Sequence, residues 1–90
     1  MKPTSIRVSL SEKINIGGYE TIEPGFHIEA TLEDGDDPVE CRRELYALAS
    51  TAVKDIAVEL LKEAVSRRSA ATKPDVDLIE YTKSLVRSLR

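Results

Sequence analysis

The chain contains no tryptophan, one cysteine, one histidine and one methionine, and only four aromatic residues among 90. A lone cysteine, Cys41, excludes an internal disulfide and fits a reducing cytosol. A lone histidine, His27, excludes the multi-histidine donor sets of zinc sites, and Cys41 would add one further ligand at most. No metal or other cofactor is expected. No apolar run approaches the roughly 20 residues of a membrane-spanning helix, so a membrane is not an expected partner. Met1-Lys2-Pro3-Thr4 leads into a strand pattern rather than a signal-peptide core, so a cytoplasmic location is expected. A P-loop, a Gly-x-Ser-x-Gly elbow and a dinucleotide fingerprint are all missing. Glu20, Glu23 and Glu29 could be read as catalytic carboxylates, but a hairpin and a helix offer no evident cleft to shift their pKa values. Cys41 lacks a committed base and reads as a packing residue. A non-enzyme is the expectation.

What is present is charge, unevenly spread. The net charge is −3, with residues 1–36 at −4, residues 37–65 at −2 and residues 66–90 at +3. The N-terminal third is therefore acidic and the C-terminal segment basic.

In "SIRVSLSEKINI" the apolar residues Ile6, Val8, Leu10, Ile14 and Ile16 all carry even numbers, the period of a strand with one face covered. "TIEPGFHIEATL" repeats this with Ile22, Phe26, Ile28, Ala30 and Leu32. A tight turn at Gly17-Gly18 would set even residues opposite odd ones and carry His27 and Glu29 into the core. A three-residue loop gives pairs that sum to 36, such as Val8 with Ile28, and a five-residue loop also keeps parity. A tight turn with a bulge near Pro24-Gly25 does the same, because a bulge shifts parity by one. A long hairpin over residues 5–32 is the expectation, with Pro24 on an edge.

Asp37, Pro38 and Glu40 form a helix start, as N-cap, first residue and capping-box partner. Neither glycine nor proline follows until Pro74, so a long helix is expected over residues 37–68. It carries two apolar stripes, one through Leu45, Leu48, Ala52, Ile56 and Leu60, the other through Ala49, Val53, Ala57, Leu61 and Val65. A second helix is expected over 75–89, acidic in its first turns and basic in its last, as the helix dipole favours. The fold class is α+β: one domain over residues 1–90, with a long antiparallel hairpin packed on a long helix and a short C-terminal helix.

The two stripes exceed what one hairpin can cover, and the alanines permit close helix–helix approach. A homodimer is therefore expected, with Ala49, Val53, Ala57 and Leu61 in its interface. The open hairpin edge offers a second route.

Two sets of charges are candidate sites. Arg67, Arg68, Lys83, Arg87 and Arg90 form a basic set suited to the phosphates of DNA or RNA, though dipole compensation alone also accounts for them. Tyr19 and Tyr81 could stack on bases, a thin platform. Glu20, Glu23, Glu29, Asp34 and Asp36, with Glu33 and Asp37, form an acidic set suited to docking on a basic protein surface.

The stretch "SEKINIGGYETIEPGFHIEATLEDGDDPVECRREL" resembles small uncharacterised proteins of phages, plasmids and some archaea, over about a third of the chain. In those proteins a Lys-Ile-Asn, Gly, Tyr-Glu hairpin feeds an alternating strand, an acidic turn and an amphipathic helix; Gly18 stands where asparagine is usual. The resemblance implies a mobile-element setting, with roles in DNA metabolism or defence evasion, and assigns no residue. Two readings follow: a nucleic-acid-binding accessory acting through the basic set, or an inhibitor or adaptor docking its acidic set on a host or element-encoded protein.

Overall fold

The computed structural model describes residues 4–89. Its elements are β1 (Ser5–Ser11), β2 (Ile14–Gly17), β3 (Glu20–Ile22), β4 (Gly25–Thr31), α1 (Pro38–Ser69) and α2 (Val76–Leu89). β1 pairs with β4, and β2 with β3, both antiparallel. Val8 faces Ile28, Leu10 faces Phe26 and Ile14 faces Ile22, so one register with pairs summing to 36 runs through both ladders. They are two segments of one hairpin. Pro24 interrupts it by lacking an N–H, but its carbonyl still accepts from Glu12 N at 3.0 Å.

The tip combines a tight turn with a bulge. Asn15 pairs with Thr21, then Gly17 with Glu20, so Ile16 and Gly17 together oppose one residue. Gly18 and Tyr19 make the turn, and Gly17, Gly18 and Tyr19 have φ of +79°, +63° and +63°. Positive φ at both central residues is what a type I′ turn demands, and its twist matches that of the strands. The bulge thus lies at Ile16-Gly17 rather than at Pro24-Gly25, and the turn falls one residue later than Gly17-Gly18.

α1 begins with the expected cap and proline, Asp37 Oδ1 accepting from Val39 N at 2.9 Å and Pro38 first in the helix, but Glu40 does not return the reciprocal bond of a capping box. The helix runs from the open end of the hairpin to its tip. Ala49, Val53, Ala57 and Leu61 are 0%, 6%, 1% and 0% exposed. They face the hairpin and α2 within a single chain, which corrects their expected place in a dimer interface. Small side chains let the helix lie close on a two-stranded sheet, and that contact consumes them.

The densest packing lies at the tip, where Ile16, Leu61 and Ala64 are surrounded by Ile14, Ile22, Leu85, Val86 and Leu89. At the open end Ile6, Val8, Leu10, Ile28 and Ala30 are only half-buried, and Phe26 is exposed. The radius of gyration is 17.9 Å, with extents of 60 × 20 × 16 Å; a compact chain of this length would have about 12 Å.

Tyr19 is fully exposed and holds a left-handed backbone that costs a non-glycine residue about 1 kcal/mol or more. Tyr19→Gly should raise the thermal unfolding midpoint by several degrees, roughly 0.5–1 kcal/mol. A lowered midpoint in calorimetry would show that the tyrosine ring contributes more than its backbone strain costs.

Candidate functional site

The last turn of α1 meets the hairpin tip and α2, and the expected basic residues separate there into two groups. Arg67 forms a two-pronged contact with Glu20, Nη1 to Oε1 at 3.2 Å and Nη2 to Oε2 at 2.8 Å. Arg68 is buried: Nη1 donates to Ile16 O and Thr82 Oγ1, each at 2.7 Å, and Nη2 donates to Gly17 O at 3.0 Å. Glu20 lies 3.6 Å from the Arg68 guanidinium as well. Arg68 is therefore a structural clamp and not a surface phosphate ligand, which corrects its expected role. Ile16 is the extra residue of the bulge and has no residue opposite it in the ladder, while Gly17 is paired with Glu20 and can accept a second hydrogen bond at its carbonyl. Arginine's planar fork satisfies both at once.

The double glycine makes this approach possible. A Cβ on Gly17 would lie 2.6 Å from Leu78 Cδ1, so α2 sits where a side chain would otherwise be. Thr82, also buried, relays the contact by donating to Leu78 O at 2.7 Å while it accepts from Arg68.

Beyond the clamp lies a groove of about 470 Å³ between α1 and α2, lined by Lys62, Val65, Ser66, Lys83, Val86 and Arg87. Its floor is apolar, through Val65 and Val86, and its rim carries three cations. Lys83 has Glu80 at 3.5 Å across one helical turn. Lys62 and Arg87 have no ion-pair partner among the described residues. Sequence spacing put Lys83 and Arg87 on one side of α2, and the fold adds Lys62, which sequence reasoning missed. The only signal for it was its position on the side of α1 away from the hairpin. Arg90 lies outside the described residues.

The acidic set does not form one free patch. Glu29 pairs with Arg7 at 3.0 Å across the sheet. Asp36 Oδ2 accepts from Glu33 N at 2.7 Å, Asp37 caps α1, and Asp34 is engaged as well. Glu23 and Glu33 are exposed. Cys41 shares a depression of about 260 Å³ with Asp36, Asp37, Glu40 and Glu44, not the electropositive setting a reactive thiolate needs. Comparison with protein-family models, curated proteins and solved structures finds no match.

The hydrogen bonds from Arg67, followed by the charges of Arg67 and Arg68, hold the Glu20 carboxyl below its ordinary pKa. A depressed folded-state value means this contact stabilises the fold above the pH at which a free glutamate ionises. The contribution is lost as pH falls through the lowered value. Glu20→Gln should flatten that acidic limb of a stability–pH profile measured by urea denaturation.

Arg68→Ala would remove the donor from Ile16 O and one donor each from Gly17 O and Thr82 Oγ1, and should cost about 3–4 kcal/mol. Arg68→Lys should recover only part of this, because an ammonium lacks the fork. A loss below 1 kcal/mol for Arg68→Ala in the same measurement would contradict the clamp.

Proposed function

We propose that the chain is a non-catalytic nucleic-acid-binding protein, an accessory of DNA metabolism in a mobile-element setting, which grips phosphates through Lys62, Lys83 and Arg87. The observation that supports this is the convergence of three cations from two helices on one groove. Two of them, Lys62 and Arg87, form no ion pair among the described residues, which leaves their charge to a ligand. Val65 and Val86 between them give sugar and base faces an apolar surface, while the rim holds the backbone. The alternative, an adaptor docking its acidic hairpin on a basic protein, draws on less: Glu20, Glu29, Asp36 and Asp37 are already committed within the chain.

With few phosphates contacted, sequence preference should be slight. The logarithm of affinity should fall with the logarithm of salt at a slope of roughly −2 to −3. Fluorescence anisotropy with labelled single- and double-stranded DNA and RNA measures both. Lys62→Glu with Arg87→Glu should abolish binding without loss of helical circular dichroism, since both side chains are exposed. No binding of any of these oligonucleotides at low salt would overturn the proposal.

A further inference from the structure

We infer that the chain forms a two-fold dimer by pairing β4 with the partner's β4, giving a four-stranded sheet under two antiparallel α1 helices. The argument starts with the backbone. Leu32 N donates to Thr4 O, and Glu12 N to Pro24 O, so the hydrogen-bonded pairs of the hairpin are the even-numbered ones. In an antiparallel ladder the two kinds of pair alternate. The N–H and C=O groups of Gly25, His27, Glu29 and Thr31 therefore point outward from β4, and those of Ser5, Arg7, Ser9 and Ser11 outward from β1. Among the described residues none of these groups has a backbone partner beyond the hairpin. Two strands alone are marginal, and both edges are open.

The flanks of α1 distinguish the edges. A groove lined by Leu10, Ser11, Glu12, Tyr46, Ser50, Val53 and Lys54 places the Ser50–Lys54 flank over β1. At 100° per residue, Cys41, Leu48 and Ala52 lie on the opposite flank, above the β4 edge. Leu48 is 57% exposed. α2 packs against α1 along Val65 and also contacts β2, on the β1 side, so it leaves the β4 side uncovered.

β4 is also complementary to itself. A two-fold axis at Ile28 sets His27 opposite the partner's Glu29 and Phe26 opposite the partner's Ala30. Imidazole meets carboxylate twice, and Glu29 keeps Arg7 behind it. This register forms about eight backbone hydrogen bonds between the chains. A hairpin is two strands, or about 9.6 Å, wide. Joining two edge to edge therefore places the α1 helices about 10 Å apart, the distance at which helices pack. The chain exposes 6529 Å², whereas a compact monomer of this mass would expose about 5,200 Å². The difference is of the order that a standard interface removes. This pairing does not depend on what the cationic groove binds.

The test combines sedimentation with cross-linking. Wild-type chain should sediment as a dimer, and Leu48→Asp, at an exposed position, should weaken association roughly 30-fold or more. In a Cys41→Ser background, Ile28→Cys sets two thiols across the axis in a non-hydrogen-bonded pair, close enough for a disulfide. Mild oxidation should then link the chains, while Val8→Cys, its partner on β1, should not. A wild-type monomer throughout the micromolar range overturns the inference, as does cross-linking of Val8→Cys at or above the rate of Ile28→Cys.

Discussion

The Arg68 guanidinium is the constraint on which the arrangement depends. It sits in the last turn of α1, 8% exposed, where an unpaired charge would be prohibitive. Burial becomes tolerable because two bulge carbonyls, a threonine hydroxyl and a nearby carboxylate surround it. Each of those partners then needs something else. The carbonyls need the bulge, the bulge needs glycine at φ +79°, and Thr82 needs α2 drawn against the tip. Leu78 can close that contact only because Gly17 has no side chain. Helix end, turn and second helix are therefore specified together, and none can be exchanged alone.

Much of this architecture was legible. Parity of the apolar positions carried the register, because one slipped residue would have buried His27 and Glu29. Asp37 and Pro38 marked the start of α1 because capping is local chemistry. Three things were not legible. Ala49, Val53, Ala57 and Leu61 form a smooth surface equally suited to a helix or a sheet, and periodicity does not say which neighbour arrives. Arg68 read as a surface cation, although it continues the buried line of Leu61 and Ala64, four residues after the second and seven after the first. An arginine on a buried stripe signals a buried acceptor, but two of the three acceptors are backbone carbonyls at a bulge, and these leave no mark in side-chain identity. Lys62 was overlooked for a related reason: its companions in the groove come from a different helix.

The molecule is also built unevenly along its length. α1 is about 48 Å long and α2 about 21 Å, so the second helix reaches only the tip half of the first. Three layers meet there, and the side chains of Ile16 and Leu61 are fully buried. The other half has two layers and no fully buried strand residue. Local opening should be easier at that end, where fewer apolar contacts hold the backbone. The open edge of β4 and the exposed Leu48 both lie in the thinner half.

The two surfaces with unused capacity lie on opposite flanks of α1. The cationic groove follows α2, on the β1 and β2 side, and the β4 edge faces the other way. Pairing through β4 would therefore leave each groove open and place the two on the outer sides of the assembly, related by the same two-fold axis. One long ligand could then engage both, and its second contact would form at the effective concentration set by their separation rather than from bulk solution. A weak three-cation site gains most from such duplication. Assembly at the thin end would in this way compensate for the small size of the cationic groove at the thick one.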